Sequence, residues 1–383
     1  MLNNSEILQI IEKGENSSVE FKTADVRPES IAREIVGFAN TQGGIILIGI
    51  DDDGSIIGND SSKKYDEWVS NISRNNVVPP IDCVYYEVKL SETSIGVIEV
   101  PKGFDKPYQT TDGKFLVRVN STLRTASQGE LLRLFQQSGV FHYDLTGVSN
   151  SSISDLNIFQ IDKYFAKYDI KLSNETPDEQ INILKNADIL TQSGEMTVAG
   201  SLIFGINPPK HLSQSGISFA RFVNNDLSSE LLDKKEIEGT LDIVIDTCSS
   251  LIQNNIPTPS DIIGNKRIDL NKTWSNKALR EVIANACIHR NYSIIGSKIR
   301  VFMFPNRVEV ISPGRLPNTV TIEKLKVGVS YSVNPVISKF MENMGYIDKL
   351  GRGIPMVYNE SKKLGKTLEM KEIGEEFKVT LEL

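Results

Sequence analysis

The segment IAREIVGFANTQGGIILIGIDDDG, residues 31–54, decides the fold of the first part of the chain. Pro28 precedes it, and apolar residues recur at helical spacing, so residues 28–41 are predicted to form an amphipathic helix. GGIILIGI (43–50) holds five aliphatic residues and three glycines, which predicts a buried strand. Asp and Gly in DDDGS (51–55) favour a tight turn. The segment therefore predicts helix, strand and turn in succession.

Residues that alternate between apolar and polar flank this segment. SVEFK (18–22) precedes it and predicts a strand, and KFLVRVNSTLRTA (114–126) predicts another that runs into a polar segment. DCVYYEVKL and SIGVIEVP between them predict a hairpin, and SQGELLRLFQQ predicts a closing helix. We therefore expect residues 1–140 to form one α+β unit, a mixed sheet with helices.

The remainder of the chain divides at TGVSNSSISD (146–155), a loop rich in Ser and Asn that is typical of a linker. Two helical stretches follow, so residues 141–190 are predicted to be a helical linker. Residues 191–383 hold a helix (NKALREVIANACIHRNY), a hairpin, and a helix, glycine-rich turn and helix. The fold class predicted for the whole chain is α+β.

Composition restricts the classes of function. The chain has 383 residues, 24% of them charged, with a formal net charge of −7. An acidic chain does not bind nucleic acid by bulk charge, so any such contact needs a local patch. The three cysteines are far apart, as in a reduced cytoplasmic protein. The first residues have no signal-peptide pattern, and no apolar run is long enough to span a membrane. We expect a cytoplasmic protein without a membrane partner.

The stretch GENSSVEFK (14–22) places two carboxylates, Glu15 and Glu20, five residues apart. They could belong to an ordinary polar strand edge, or they could be two corners of a metal site. Asp51 leaves the buried strand nearby, and Lys22 lies on the same strand face as Glu20. Hard cations such as Mg²⁺ prefer carboxylate oxygens, and a lysine beside them could bind a phosphate. The bland alternative is that Glu15 flanks a helix and Asp51 makes the turn.

Taken together, these residues resemble the Schlafen AlbA_2 module over roughly residues 5–130. The resemblance rests on E-x-x-x-x-E-F-K, on F-A-N-T-x-G-G-x-x-x-I-G-[IV]-D-D-x-G, and on R-V-x-S-T-x-R-x-A. It implies nucleic-acid binding. In Schlafen ribonucleases two glutamates and an aspartate hold a divalent metal that cuts RNA, and these match Glu15, Glu20 and Asp51. The implied catalytic set is these three residues with Lys22.

A basic set follows the same module: Lys114, Arg118 and Arg124, on and beyond one predicted strand. Arg118 and Arg124 could line a groove for nucleic-acid phosphates. A solvated face is the alternative.

A second constellation lies near the end of the chain. Glu281 and Asn285 stand at i and i+4, so they share one helix face. An Asn carbonyl can ligate Mg²⁺ carried by phosphates, and a Glu can orient a water. Gly351 and Gly353 precede a helix, where glycine-rich backbone can cradle phosphate. A tight turn between helices is the other interpretation of these glycines.

These motifs resemble a divergent GHKL-type ATPase domain, an α/β sandwich, over roughly residues 190–383. Such proteins are often labelled RecG-like helicases or ATP-binding transcriptional regulators. The resemblance implies that Asn285 ligates magnesium and that Glu281 positions a water. It places one glycine near the base and the remaining site residues near the phosphates: Gly314 at the base, and His289, Gly351, Arg352 and Gly353 at the phosphates, with Arg290 facing the triphosphate.

The chain departs from this family at ISPGRLP, where the usual D-x-G-x-G aspartate that reads adenine is missing. No P-loop occurs, so a helicase motor is not predicted. The expected function is that of an ATP- and nucleic-acid-binding regulator with ATP and Mg²⁺ (or Mn²⁺) as cofactors. The alternatives are a metal-dependent endonuclease acting on RNA or DNA, by analogy in phage defence, and an oligomerising scaffold with a degenerate ATP pocket. The residues leave enzymatic activity open, whether nuclease or weak ATPase, and a homo-oligomer is expected.

Overall fold

The structure is a computed structural model that describes residues 2–60, 62–90, 93–256, 260–263, 266–269, 273–329, 331–348 and 350–383, with 260–263 and 266–269 described in their backbone only. The chain forms two compact units, Met1–Phe141 and His142–Leu383. Among the described residues, no helix is long and apolar enough to cross a membrane. Helices and sheets are both present in quantity, which confirms the predicted α+β class.

The first unit is built on a four-stranded sheet in the order β1-β2-β5-β4. Strands β1 and β2 are parallel, whereas β5 runs antiparallel to both β2 and β4. Two short pairs, β3-β6 and β7-β8, stand apart from this sheet. The elements are α1 (Asn4–Lys13), β1 (Val19–Lys22), α2 (Pro28–Asn40), β2 (Gly44–Ile48), α3 (Tyr65–Asn75), β3 (Val77–Val78), β4 (Val84–Leu90), β5 (Thr93–Val100), β6 (Gln109–Thr110), β7 (Leu116–Val119), β8 (Thr122–Thr125) and α4 (Gln128–Gln137).

Strand β2 is apolar along its length because both faces of the sheet are covered. Ile46 and Ile48 belong to the core that the sheet shares with α2 and α3. Leu47, which points to the other face, belongs to a separate core with Ile7 of α1. Alternate residues of one strand thus serve two cores, as expected for a strand buried on both sides. The strand and the α2 helix predicted from residues 31–54 are confirmed.

The polar segment after Val119 is a hairpin rather than the continuation of one strand. Strand β7 pairs antiparallel with β8, and the turn between them places Asn120 at φ 55°. Asn tolerates this left-handed conformation better than most residues do. The hairpin brings Arg118, on β7, against α2.

The second unit is built on a six-stranded sheet in the order β10-β9-β13-β14-β16-β15, in which only the β9-β13 pair is parallel. Its helices and strands are α5 (Ile158–Phe165), α6 (Pro177–Asn186), α7 (Val198–Phe204), α8 (Pro208–His211), β9 (Ile217–Phe222), β10 (Leu231–Ile237), α9 (Leu241–Asn255), β11 (Ser260–Ile263), β12 (Lys266–Asp269), α10 (Asn276–Ile288), β13 (Ile299–Phe304), β14 (Arg307–Pro313), α11 (Ile322–Lys326), α12 (Pro335–Asn343), α13 (Gly353–Leu364), β15 (Leu368–Ile373) and β16 (Glu376–Glu382).

The stretch predicted as a linker, 141–190, is helical and lies almost entirely within the second unit. Ile161, Tyr164 and Leu184 of α5 and α6 are buried in the same core cluster as the sheet strands. The core also includes Ile283 of α10, so helix α10 packs on the sheet that holds β13 and β14. This packing fixes one face of α10 and leaves its polar face available for a site.

Candidate functional sites

Four charged side chains meet inside the first unit: Glu20 and Lys22 from β1, Glu34 from α2, and Arg118 from β7. Arg118 Nη2 donates to Glu20 Oε2 at 2.5 Å, and Arg118 Nη1 donates to Glu34 Oε2 at 3.0 Å. Lys22 is paired with Glu20 and lies 3.8 Å from Glu34. We call these four residues the charge cluster.

Arg118 is the centre of the charge cluster and is almost completely buried, with 1% of its side chain exposed. Besides the two carboxylates, its guanidinium donates to the backbone carbonyls of Asn16 at 3.0 Å and Val19 at 2.9 Å. It also lies over the ring of Phe38. A planar guanidinium with several donors suits this role, because it can join several acceptors at once. Arg118 therefore connects β7 to β1 and α2.

Burial sets the protonation of the carboxylates around Arg118. Burial and the neighbouring Glu20 carboxylate raise the pKa of Glu34 to about 7. The pKa of Glu20 is lowered: burial opposes the shift, and the hydrogen bonds from Lys22 and Arg118 outweigh it. Burial raises the pKa of Glu15, whose Oε1 accepts the backbone N–H of Phe21 at 2.8 Å. Two adjacent buried carboxylates commonly hold one proton between them, which agrees with the raised pKa of Glu34.

Asp51 does not join Glu15 and Glu20. Among the residues that the structure describes, no three Asp, Glu, His or Cys side chains are grouped so that they could hold a metal ion. Asp51 instead lies in the turn after β2, where its side chain accepts the backbone N–H of Asp52 at 2.8 Å. The turn thus uses the carboxylate that the prediction assigned to a metal, and the described residues do not fit the predicted three-carboxylate site.

The three basic residues predicted to contact nucleic acid are all paired with acids of their own unit. Arg118 is buried in the charge cluster, so it does not line a groove. Arg124 donates to both carboxylate oxygens of Glu130, at 2.8 and 2.7 Å. Lys114 pairs with Asp112 at 2.6 Å. The prediction failed for Arg118 because its partners lie about a hundred residues away in sequence.

The sequence prediction missed Glu34, although a signal was present. Glu34 stands three residues after Ile31, on the apolar face of α2, and only 7% of it is exposed. A glutamate in the apolar stripe of an amphipathic helix needs a buried partner, because burying an unpaired charge is costly. The position of Glu34 in the sequence thus indicates a buried cationic partner, which the structure identifies as Arg118.

The raised pKa of Glu34 predicts how stability depends on pH. The folded state binds this proton more tightly than the unfolded chain, whose ordinary value is 4.5. The stabilising contribution is therefore complete below pH 4.5 and is lost as the pH rises through about 7. We expect the free energy of unfolding of the first unit to fall by on the order of 2 kcal/mol between pH 5 and pH 8.

Glu34→Gln should abolish this fall, because glutamine keeps an acceptor for Arg118 and has no proton to lose. Urea titrations of the wild type and the variant at several pH values would measure it. Glu29→Gln, an exposed position on the same helix, should keep the wild-type dependence. A Glu34→Gln protein that loses stability over this range as steeply as the wild type contradicts the assignment.

The second unit contains a cavity of about 330 Å³. Its walls come from α10, from the segment after β14, from α11 and the segment after it, and from the start of α13. Six of the eight residues that the prediction placed at the nucleotide line it: Glu281, Asn285, His289, Gly314, Gly351 and Gly353. Residues from three separate motifs therefore share one space.

Glu281 and Asn285 are joined within this cavity. The Asn285 amide donates to Glu281 Oε1 at 2.7 Å and to the Glu281 backbone carbonyl at 2.8 Å. The side-chain oxygen of Asn285 takes part in neither of these two hydrogen bonds. Burial raises the pKa of Glu281, and the hydrogen bond from Asn285 partly offsets this shift. The helix thus presents one carboxylate and one amide oxygen as a pair.

The glycines in the wall allow close contact that a side chain would prevent. A Cβ on Gly353 would lie 1.7 Å from Glu281 Oε1, so the start of α13 touches the carboxylate. Gly351 has φ 71°, and a Cβ there would lie 2.0 Å from the carbonyl oxygen of Gly328. Gly351 therefore needs to be glycine both for its backbone conformation and for this backbone contact.

The remaining predicted residues differ from their expected roles. Helix α10 ends at Ile288, so His289 follows the helix, and burial lowers the pKa of His289 to about 4. The neutral ring lines the cavity. Arg290 is completely buried and donates to backbone carbonyls, among them that of Ser297 at 2.6 Å, so it does not face a triphosphate. Arg352 is largely exposed and pairs with Asp348.

The prediction did not include most of the cavity wall. Aliphatic and aromatic side chains from the segments after β14 and from β16 form much of it, including Leu316, Pro317, Val320 and Phe377. Ser332 and Ser338 add two hydroxyls that are hydrogen-bonded to each other. Ser312, in the motif that lacks the aspartate, donates to the Ala286 carbonyl at 2.8 Å.

Two known families match the chain in sequence. Residues 15–127 match the family described as Schlafen, AlbA_2. Residues 296–381 match the family described as putative ATP-dependent DNA helicase recG C-terminal. The first unit is therefore similar to the Schlafen AlbA_2 domain, and the second unit is similar to the recG C-terminal domain over the matched residues. The predicted architecture is confirmed, although the second match begins after Glu281 and Asn285.

Two solved structures are similar to the chain. The DIP2311 protein from Corynebacterium diphtheriae is 20% identical, with a TM-score of 0.48, over 99% of this chain and 79% of its own. The N-terminal domain of a putative ATP-dependent DNA helicase RecG-related protein from Nitrosomonas europaea is 17% identical, with a TM-score of 0.28, over 33% of this chain and 94% of its own. No curated protein matches the chain.

Proposed function

We propose that the recG C-terminal-type domain binds ATP in its cavity and that the protein is a nucleic-acid-binding regulator that responds to the nucleotide. The observation that supports this is the convergence of Glu281, Asn285, Gly314 and Gly353 on one cavity of about 330 Å³. Pockets of this size hold small ligands, and a largely apolar wall with a few polar groups is typical of them.

The donor set fits a magnesium ion carried by the phosphates. The amide oxygen of Asn285 is a hard oxygen ligand of the kind that Mg²⁺ prefers, and the Glu281 carboxylate lies beside it on the same helix face. A bound ion would neutralise phosphate charge. Glu281 would accept a proton from a water, because its raised pKa makes it a stronger base than an exposed glutamate. We propose slow ATP hydrolysis only as a consequence of the pair formed by Glu281 and Asn285.

The phosphate end is placed at the start of α13. Arg352 is the N-cap of this 12-residue helix and makes no side-chain capping hydrogen bond. The first backbone N–H groups of a helix need partners and attract anions. Gly353 brings these groups next to Glu281, whose carboxylate is hydrogen-bonded to Asn285, the proposed magnesium ligand. The apolar side chains after β14 are left for the base.

Calorimetric titration with ATP and Mg²⁺ tests the nucleotide part of the proposal. We expect the wild type to bind and Asn285→Ala to bind at least ten-fold more weakly, since it loses one metal ligand and the partner of Glu281. Asn182→Ala, at an exposed position on α6, is the matched control and should bind normally. Absence of binding by the wild type would sink the proposal.

The Schlafen AlbA_2 domain is the proposed nucleic-acid contact, which rests on the family matches. Fluorescence anisotropy with labelled RNA and DNA strands, in a series of salt concentrations, measures it. Binding through phosphates weakens steeply as salt rises. We expect the affinity to change when ATP and Mg²⁺ are added. If ATP leaves the binding of nucleic acid unchanged, the two domains act independently. That result would contradict the proposed response to the nucleotide.

A further inference from the structure

Asn318 lies in the segment between β14 and α11 and is 6% exposed. Both polar atoms of its side chain, Oδ1 and Nδ2, are shielded from solvent, and neither has a hydrogen-bond partner among the described residues. Pro317, directly before it, and Val320, two residues after it, line the cavity. Asn318 is itself not among the lining residues, so it lies next to the cavity in sequence and is buried outside the lining.

A buried carboxamide without partners is unusual, because buried polar groups in proteins are nearly always hydrogen-bonded. Leaving both a donor and an acceptor unpaired lowers stability, and replacing both with apolar atoms of similar shape removes that cost. Such a group is retained either because a water satisfies it or because a ligand does. Its position beside the proposed nucleotide site favours the ligand.

We propose that Asn318 recognises the base of the bound nucleotide. Its side chain would rotate into the cavity, and its carboxamide would form hydrogen bonds with the edge of the base. This inference rests on the proposed nucleotide binding. A carboxamide offers one acceptor and two donors side by side. That pattern matches an edge on which an amino group adjoins a ring nitrogen, as it does in adenine.

The neighbouring side chains favour the base rather than the phosphates. Leu316, Pro317, Val320 and Phe377 give this part of the wall an apolar surface that suits a flat ring. A neutral amide gives a phosphate little charge compensation, whereas the start of α13, which has no side-chain cap, attracts anions elsewhere in the cavity. Ser312 supplies no competing donor, since its hydroxyl already donates to the Ala286 carbonyl.

The test compares ATP with purine riboside triphosphate, which has hydrogen in place of the 6-amino group. GTP is not the diagnostic ligand, because an amide can turn over and present its donor and acceptor in the opposite order. A bidentate amide-base contact is worth about a ten-fold difference in affinity or more. We therefore expect the wild type to bind ATP at least ten-fold more tightly than purine riboside triphosphate, with Mg²⁺ present.

In Asn318→Leu, which has a similar shape, we expect the two triphosphates to bind equally well. The melting temperature of the ligand-free variant should equal or exceed that of the wild type, because two unpaired polar atoms are gone. Asn318→Ala is the second variant, for the case that the leucine side chain occupies the space of the base. It should also bind the two triphosphates equally well.

Three results overturn the inference. If the wild type binds both triphosphates equally well, no residue of the protein recognises the 6-amino group of adenine. A leucine or alanine variant that keeps the preference for ATP shows that Asn318 is a structural amide satisfied by water. A wild type that binds neither triphosphate removes the proposed function, and the inference falls with it.

Discussion

Replacing Arg118 with methionine should unfold the Schlafen AlbA_2 domain or destabilise it by about 3–5 kcal/mol. The substitution leaves the Glu20 and Glu34 carboxylates inside the domain, where 7% of each residue is exposed, without their main cationic partner. It also removes the donors to two backbone carbonyls, that of Asn16 before β1 and that of Val19 at the start of β1. Lys22 remains beside both carboxylates but supplies only one charge.

Arg124→Met is the matched control, because Arg124 lies on the same hairpin and also pairs with a carboxylate in bidentate fashion. Its side chain is 44% exposed, and an exposed pair contributes about 1 kcal/mol or less. Urea unfolding of the full chain gives the free energies. Hydrogen exchange of the α2 and β1 amides assigns the loss to the first unit. Equal losses from the two substitutions would contradict the structural role of Arg118.

Arg118→Lys separates geometry from charge. Lysine restores the positive charge, but a single ammonium group cannot reach two carboxylates and two carbonyls together. We expect this variant to recover less than half of the stability that methionine loses. A full recovery would mean that charge alone accounts for the cluster.

The first unit shows why local sequence patterns predict helices and strands better than they predict which side chains contact each other. The apolar residues in 31–54 predict α2 by their helical spacing and β2 by a nearly continuous apolar run, and both patterns are local properties. Arg118 was predicted to line a phosphate groove or, alternatively, a solvated face, and both would lie at the surface. Its partners Glu20 and Glu34 are 98 and 84 residues away in sequence. The carboxylates that pair with Arg118 are determined by the packing of β7 on α2. The local spacing of residues does not predict this packing.

The back of the chain was predicted better, because its motif is itself local. Glu281 and Asn285 must share a face wherever they occur in a helix, and glycines mark close backbone approach. The cavity wall was not predictable in the same way. It draws on the segments after β14 and α11, whose apolar residues have no regular period. The unpaired carboxamide of Asn318 is likewise visible only once its surroundings are known.

Gly353→Ala should weaken ATP binding by about 5- to 150-fold, the equivalent of about 1–3 kcal/mol of overpacking. The added methyl group would lie 1.7 Å from Glu281 Oε1 and 2.4 Å from its Cδ, so the carboxylate or the start of α13 must move. Either displacement separates the helix N–H groups from the pair formed by Glu281 and Asn285. Alanine is otherwise favoured in a helix, so no loss of helix stability is expected. Calorimetric titration with ATP and Mg²⁺ measures the change.

A double-mutant cycle isolates the cause of this loss. Truncating Glu281 to alanine removes the atoms with which the new methyl group clashes. Gly353→Ala should therefore cost far less affinity in the Glu281→Ala background than in the wild type. Gly129→Ala on α4, where a Cβ meets nothing closer than 3.5 Å, shows what a harmless helical substitution does. If Gly353→Ala costs the same with and without the Glu281 side chain, the contact between α13 and α10 does not set the geometry of the site.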